Sequence, residues 1–172
     1  MTTIVSDVVP QDPRLRLRLA EPGDAPFLRD LFKTVKGAQL AAGGLPPDMV
    51  DLILAQQYGA QVAGYAAQFP AARSLIVLGQ GIPIGRLLLD RTAQQWHVVD
   101  VALLPSVRSA GVGRAVMEAV VATAREQRAA VLTLAVAATN EGARRFYSRL
   151  GFTELESDAT ASHLGMQLRL GD

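Results

Sequence analysis

The sequence contains no cysteine and only two histidines, His97 and His163. Disulfides, thiolate zinc sites and a cysteine nucleophile are therefore excluded, and two histidines are too few for a histidine metal cage. We expect a protein without a metal ion. A chain without cysteine also fits a reducing compartment, so a cytoplasmic location is the default expectation.

Long hydrophobic runs and an excess of one charge are missing as well. No apolar run reaches the roughly 18 residues that cross a bilayer. The first residues lack the basic start and apolar stretch of a signal peptide. The formal net charge is only +1, which gives no electrostatic reason to expect nucleic acid or an anionic membrane as a partner. We expect neither.

What is present is the composition of a globular domain. The chain has 172 residues, of which 49% are hydrophobic and 19% charged, and this length suffices for one domain with a sizeable core. No repeat, low-complexity segment or long linker divides it. Residues 1–13, with Pro10 and Pro13, are interpreted as an N-terminal lead-in, and residues 14–172 as a single domain.

The hydrophobic periodicity predicts alternating strands and helices. Three strands in succession favour an antiparallel meander, and the later strand–helix–strand unit favours a right-handed parallel crossover. The fold class is therefore α/β (α+β), a mixed sheet covered by helices. Strands are predicted at 14–19, 73–79, 82–90, 96–104, 131–138, 152–156 and 163–170; helices at 24–36, at 48–69 with an interruption near Gly59 or Gly64, after the 105–113 loop to about 128, and at 139–152 with a terminal Gly151.

The stretch "RSAGVG", from Arg108 to Gly113, lies between a predicted strand and a predicted helix. Free N–H groups and the helix dipole make such a helix start suitable for an anion, and two glycines let a phosphate approach the backbone. A Walker loop is excluded because no lysine occurs here, and a dinucleotide fingerprint because Val116 replaces its third glycine. A glycine-rich tight turn with a surface arginine remains the alternative.

Two patterns together resemble the GNAT family of N-acetyltransferases. Residues 101–113 have the form V-x-L-x-P-x-x-R-x-x-G-x-G, which resembles the acetyl-CoA loop of that family. About thirty residues on, residues 140–152 have its form N-x-x-A-x-x-F-Y-x-x-L-G-F. The resemblance covers about residues 14–170. It implies the GNAT fold, with about seven strands, about four helices and a splayed parallel strand pair, and acetyl-CoA as co-substrate.

The resemblance also implies where coenzyme A binds. The amides of residues 109–114 would hold the pyrophosphate, the pantetheine arm would pair with main chain near Leu103, and Asn140 would hydrogen-bond the arm or cap its helix. Ser109 and Ala110 depart from the glycine and basic residue of many members, so we expect more reliance on Arg108 and Arg114. The implied cofactor-binding residues are Leu103, Leu104, Arg108, Ser109, Ala110, Gly111, Val112, Gly113, Arg114, Asn140, Ala143 and Phe146.

The implied chemistry is direct attack of a primary amine on the acetyl thioester. A backbone N–H near Leu103 would stabilise the oxyanion. Tyr147, by resemblance, would protonate the leaving thiolate. Its alternative role is packing, since it shares a helical stripe with Ala143, Phe146 and Leu150.

His97 and Asp100 are the two candidates for the general base. Histidine suits the task at its ordinary pKa of about 6.5, and regular alternation places His97 on the same side of its strand as Leu103. The same alternation places Asp100 on the opposite face unless the strand contains a β-bulge. A structural histidine, a buried ion pair and a water relay without a base remain open.

The acceptor is poorly specified by the sequence. Gln57, Tyr58, Gln61, Tyr65 and Gln68 fall near one face of the second helix and form either a neutral polar pocket or a solvated face. Three acidic residues of the last hairpin would suit a cationic amine or are ordinary surface charge: Glu154, Glu156 and Asp158. A small-molecule N-acetyltransferase is expected, with a protein acetyltransferase or a non-catalytic acyl-CoA-binding module as alternatives. The chain is expected to be a monomer or a homodimer.

Overall fold

The computed structural model describes residues 6–171, which form seven strands and four helices. Short 3-10 turns precede the first and third helices. The strands are β1 (Leu15–Leu19), β2 (Arg73–Gly79), β3 (Ile82–Arg91), β4 (Gln95–Leu103), β5 (Val131–Ala137), β6 (Thr153–Glu154) and β7 (His163–Arg169), and the helices are α1 (Ala25–Ala41), α2 (Pro47–Gln68), α3 (Val112–Glu126) and α4 (Glu141–Arg149).

All seven strands form one mixed sheet in the order β1-β2-β3-β4-β5-β7-β6. Every neighbouring pair is antiparallel except β4 and β5, which are parallel. The parallel pairing covers only Gln95–Val98 of β4 and Val131–Leu134 of β5. Beyond it both strands continue without pairing to each other, which confirms the predicted splayed pair and the predicted fold class.

The two faces of the sheet are covered by different helices. Val116, Val120 and Ala124 of α3 are fully buried against one face, together with Trp96 and Leu87. Helix α1 packs against α2 and against the opposite face of β3 and β4. In the described part of the chain, no helix combines the length and the hydropathy needed to cross a membrane.

The helices on the second face differ from their predicted form. Helix α2 is continuous through Gly59 and Gly64, so the predicted interruption is wrong. One glycine inside a helix costs only about 1 kcal/mol, which a long helix tolerates. Asp24 precedes α1 but does not cap it with its side chain; its carboxylate accepts two hydrogen bonds from Arg18, both of 2.7 Å.

The segment before β1 lies against the domain from residue 6 onward. Val8 is 1% exposed and belongs to the core. Asp7 accepts hydrogen bonds of 2.8 and 2.9 Å from Arg91, at the end of β3. These contacts attach residues 6–8 to the sheet, and the division of the chain at residue 14 stays a prediction.

Candidate active site

A cavity of about 1130 Å³ opens where β4 and β5 separate. The two diverging strands form its floor, helices α1 and α2 cover it, and the start of α4 closes one side. Six of the residues predicted for the site line this cavity: His97, Asp100, Arg108, Asn140, Ala143 and Tyr147.

A β-bulge in β4 decides which side chains face the cavity. Asp100 lies opposite Leu88 of β3, whereas Val98 lies opposite the next residue, Leu89, so Val99 is an extra residue in β4. One extra residue reverses the alternation of side chains beyond it. Asp100 therefore shares the α1–α2 face with His97.

The same bulge corrects a prediction about Leu103. The expectation that His97 and Leu103 lie on the same side of the strand is wrong, because Val99 stands between them. Leu103 instead packs toward the core on the α3 face. Its role at the site would rest on its main chain.

The main chain of β4 offers N–H groups to the gap between the strands. Leu104 donates its N–H to Ile84 of β3 at 2.9 Å. Because successive residues of an antiparallel ladder alternate in direction, Val101 and Leu103 direct their N–H groups away from β3, toward the separated edge. Leu104 is therefore already paired and is not free to hold a ligand through its N–H.

His97 is held by two neighbours. Its Nδ1 lies 2.8 Å from the hydroxyl of Thr133, which donates to the carbonyl of Trp96 at 3.3 Å. A hydroxyl that donates its one proton to Trp96 accepts from Nδ1–H, which leaves Nε2 of the neutral ring unprotonated. The ring stacks on Phe69, with centroids 5.0 Å apart. Burial lowers the pKa of His97 below 6.5, and Asp90 partly offsets this.

Asp100 forms an ion pair with Arg86 of β3. The Arg86 side chain is 11% exposed, and its Nε has no hydrogen-bond partner among the described residues. The pair matches the buried ion pair that the sequence left open for Asp100. A carboxylate whose oxygen already accepts a hydrogen bond from a guanidinium has a partner within the protein, which favours a structural role over proton transfer.

Tyr147 belongs both to the packing and to the cavity. Its ring contacts Phe146 and Phe152 edge-to-face, at centroid distances of 5.1 and 5.8 Å, and it also lines the cavity. Burial, and then the charge of Asp100, raise the pKa of Tyr147 above 10. The hydroxyl therefore stays protonated at neutral pH, as a proton donor requires.

The glycine loop ends in the first turn of α3. Gly111 precedes the helix with φ +78°, and the first intrahelical bond is from Ala115 N–H to the Gly111 carbonyl at 3.0 Å. The N–H groups of residues 112–114 consequently have no acceptor within the helix. Ser109 also has a positive φ, of +64°, a conformation that costs a residue with a side chain about 1–2 kcal/mol.

Gly113 is not required by the protein's own packing. Its φ is ordinary, and an added Cβ would meet only Leu103 and Phe146, at 3.5 and 3.9 Å. Nothing in the described backbone or packing therefore demands glycine at this position. The absence of a side chain at Gly113 is compatible with the anion-loop interpretation, which needs room for a ligand at the helix start.

The charged residues of the loop differ in their surroundings. Arg108 is exposed at the cavity and takes part in no ion pair among residues 6–171. Arg114 is bound to Glu118 at 2.7 Å, one turn along α3. Of the two arginines, Arg108 is better placed to meet an anion. Ala110 is exposed and Val112 is 9% exposed, so these two would act through their main chain.

Asn140 is the N-cap of α4. Its Oδ1 accepts the N–H of Ala143 at 3.1 Å, which leaves the amide NH2 group for another partner. The capping role is thus observed, and the residue lines the cavity as well. Both roles that the sequence allowed for Asn140 are compatible.

The residues predicted for the acceptor side divide into two groups. Four residues of α2 line the cavity, namely Tyr58, Gln61, Tyr65 and Gln68, whereas Gln57 does not. The three acidic residues of the last hairpin do not line it either. Glu154 is bound to Arg144 at 2.7 Å.

Sequence reasoning missed three residues of the site: Phe69, Arg86 and Thr133. An arginine inside the apolar strand "IPIGRLLLD" was a usable signal, because a buried charge requires a partner. Phe69 and Thr133 gave no signal, since their contacts with His97 depend on elements that only the fold brings together.

Comparisons with known proteins agree with this geometry. A family model described as acetyltransferase (GNAT) family matches residues 47–152. The chain belongs to the GNAT family of acetyltransferases. No curated protein matches the chain in sequence.

Solved structures of GNAT proteins resemble the chain over most of its length. The PaiA N-acetyltransferase of Thermoplasma acidophilum, in complex with coenzyme A, has 16% identity and a TM-score of 0.68, over 90% of this chain and 98% of that one. YncA of Salmonella typhimurium, with acetyl-CoA, has 19% identity and a TM-score of 0.56, over 92% and 95%. A nourseothricin acetyltransferase has 31% identity and a TM-score of 0.50, over 59% and 67%.

Proposed function

We propose that the protein transfers the acetyl group of acetyl-CoA to a primary amine of a small molecule by direct attack. The observation that carries this proposal is one cavity onto which three features open: the separated edge of β4, Arg108 of the loop before α3, and Tyr147 of α4. Coenzyme A and acetyl-CoA in GNAT structures with the same fold support the choice of co-substrate.

Coenzyme A would bind through main chain and one arginine. The N–H groups of residues 112–114 and the Arg108 guanidinium would hold the pyrophosphate. The pantetheine arm would pair with the free edge of β4 at Val101 and Leu103, as an added strand does. The NH2 group of Asn140, left over from capping, would bind the arm.

The acetyl carbonyl is best placed at the N–H of Val101. The charge of Asp100, the residue before Val101, contributes to the raised pKa of Tyr147. The phenol and this part of β4 therefore lie near each other in the cavity. Leu103 lies two residues further, roughly 7 Å along the strand. We therefore assign the oxyanion donor to Val101 and the pairing with the arm to Leu103.

The reaction then has a balanced course. The neutral amine nitrogen attacks the carbonyl carbon, and the oxyanion accepts the Val101 N–H. The carbon–sulfur bond breaks, the Tyr147 hydroxyl protonates the thiolate, and the amine nitrogen loses one proton. A thiol has an ordinary pKa of about 8.5, and the pKa of Tyr147 is raised above 10. The Tyr147 hydroxyl therefore keeps its proton at neutral pH until the thiolate forms.

His97 is our proposal for the acceptor of the amine proton. Its Nε2 is free of the Thr133 contact, and its lowered pKa keeps the ring neutral at pH 7. Val101 lies four residues away, roughly 10–13 Å along the strand, so the proton would pass through water. Asp100, engaged by Arg86, is assigned a structural role.

The decisive experiment measures free thiol released from acetyl-CoA by the purified protein with a panel of small amines. Turnover with at least one amine supports the proposal. Calorimetric binding of acetyl-CoA without any turnover would favour an acyl-CoA-binding module. Mass spectrometry of a treated cell extract would reveal modified lysines or N-termini if the acceptor is a protein.

A further inference from the structure

The aromatic residues of this protein are concentrated at one place. The chain has five phenylalanines, three tyrosines and one tryptophan, which make up only 5% of it. Five of these nine aromatic residues line the cavity, including every tyrosine: Phe32, Tyr58, Tyr65, Phe69 and Tyr147. Most of the few aromatic rings in this chain therefore lie where the acceptor would bind.

Four of the rings are not part of the main core. Phe32, Tyr58, Tyr65 and Phe69 come from α1 and α2 or the residue that ends α2, and none belongs to the hydrophobic cluster around the sheet. Phe32 and Tyr58 face each other across the two helices, with centroids 5.3 Å apart and planes tilted by 53°. The core around the sheet therefore does not account for these four rings, and the contact between Phe32 and Tyr58 joins α1 to α2 at the wall of the cavity.

The charged side chains that line the cavity have no net negative charge. Helices α1 and α2 contribute a single charged side chain, Lys36, which is positive. The strands contribute Asp90 and the pair of Arg86 with Asp100, and the loop before α3 contributes Arg108. Three positive and two negative side chains leave no net negative field, so an acceptor with several positive charges would gain little from entering.

We propose that the acceptor is a monoamine with an aromatic body, held by the rings of α1 and α2. This inference rests on the proposed function and specifies its substrate class. The acceptor ring would pack against Phe32 and Tyr58 in the offset or tilted contacts that aromatic rings prefer, at centroid separations of about 4.5–7 Å. Its amine would point toward the end of β4 at Val101.

The test compares four amines in the thiol-release assay. Phenethylamine is an aromatic monoamine, 2-cyclohexylethylamine has the same charge without a π face, and spermidine and kanamycin are polycations. We expect kcat/KM for phenethylamine to exceed that of both polycations by about tenfold or more, the range set by apolar pocket contacts, and that of 2-cyclohexylethylamine several-fold. Equal or better turnover of spermidine or kanamycin overturns the inference.

Matched variants test whether the rings of Phe32 and Tyr58 cause the preference for an aromatic amine. Phe32→Leu and Tyr58→Leu keep apolar volume and remove a ring, so each should reduce the preference for phenethylamine over 2-cyclohexylethylamine. Phe27→Leu is the control, because Phe27 lies in α1 but does not line the cavity. A preference that survives in both cavity variants assigns the rings no role in selection and contradicts the inference.

Binding measurements separate this inference from the proposed function. If acetyl-CoA binds but none of the four amines reacts, their affinities for the coenzyme A complex are measured by calorimetry. If acetyl-CoA does not bind, the proposed function fails, and affinities for the protein alone are measured. In either case tighter binding of phenethylamine than of spermidine and kanamycin supports the inference, and the opposite order overturns it.

Discussion

His97 and Asp100 lie on the same face of β4, although an odd number of positions separates them. The extra residue Val99 reverses the alternation between them, so both side chains line one cavity. The bulge also lies two residues before Val101, whose N–H faces the gap between the strands. One inserted residue thus arranges the proposed base, the ion-paired carboxylate and the proposed oxyanion donor together.

Gly113→Glu should abolish acetyl-CoA binding while the fold is retained. The substitution places bulk and negative charge where the phosphates are proposed to lie. Calorimetry measures the affinity and circular dichroism the fold. Gly113→Ala is the control for packing, because an added Cβ meets only ordinary contacts, and its free energy of unfolding should change by less than about 1 kcal/mol. Unchanged affinity in Gly113→Glu would remove the phosphate site from this loop.

Arg108→Ala should weaken acetyl-CoA binding by about 1–3 kcal/mol, the range for a hydrogen bond to a charged group. Arg114→Ala should weaken it less, because Arg114 is already bound to Glu118. The affinities of the two variants are compared by calorimetry at one salt concentration. The reverse order would assign the main charge contact to Arg114.

Ser109→Gly should stabilise the protein without loss of function. Ser109 has φ +64°, which glycine adopts without the steric cost of about 1–2 kcal/mol that a Cβ brings. Greater flexibility of the unfolded chain offsets part of this gain. Denaturant unfolding measures the free energy, and calorimetry should find acetyl-CoA affinity equal or higher. A less stable variant with weaker binding would show that the serine side chain itself holds the loop or the ligand.

Tyr147→Phe should lower turnover about 10²–10⁴-fold, the usual span for a positioned acid, with little change in acetyl-CoA affinity. The ring contacts with Phe146 and Phe152 are preserved, so the melting temperature should stay close to that of the wild type. Steady-state kinetics and calorimetry separate the two effects. Full activity in this variant would restrict Tyr147 to packing.

If His97 is the general base, the pH profile of kcat/KM should have an acidic limb. A histidine acts as a base only when its ring is neutral, so activity should fall as pH falls through the pKa of His97, which burial holds below 6.5. His97→Ala should lose this limb and recover partly at high pH, where more of the amine is neutral. Thr133→Val, which removes the partner of Nδ1, should shift the limb, and Thr133→Ser should restore it.

Asp100→Asn tests the alternative that Asp100 is the general base. If the acidic limb persists in His97→Ala and disappears in Asp100→Asn, the base is Asp100 and our assignment is wrong. If the limb persists in both, a water relay without a protein base accounts for the proton.

The hydrogen bonds between Asp7 and Arg91 should make the folded protein less stable in acid. These hydrogen bonds are the main cause that lowers the pKa of Asp7 from 3.8 to about 2. A folded pKa below the unfolded one gives stability that is present above pH 3.8 and is lost as pH falls toward 2. Since the carboxylate is about half exposed, Asp7→Asn should cost only about 1 kcal/mol at pH 7.

Denaturant unfolding between pH 7 and pH 2 measures this effect. Asp158→Asn is the control, because Asp158 is exposed and forms no ion pair among residues 6–171. The difference between wild type and Asp7→Asn should shrink steadily as the pH falls from about 4 to about 2. A difference that is constant with pH would mean that Asp7 contributes through packing alone.

Local patterns in the sequence were sufficient for most of the elements and for the helix start after the glycine loop. Alternation at residues 14–19 and the glycine after α4 act over a few residues, so they could be interpreted without the fold. The glycine loop from Arg108 to Gly113 predicted a helix start with free N–H groups, since those groups follow from helix geometry alone. The antiparallel meander of β2, β3 and β4 and the parallel pairing of β4 with β5 followed from short connections and the handedness of the crossover, whereas the position of β7 between β5 and β6 did not.

The tertiary structure alone decided which side chains meet in the cavity. The bulge at Val99 depends on pairing with β3, and one residue of register reverses a whole face. The contacts of His97 with Phe69 and Thr133 join three elements distant in sequence, as does the pair of Arg86 with Asp100. Sequence determined what each segment is, because propensity and periodicity are local; the fold determined what each side chain faces, because that depends on register and packing between segments.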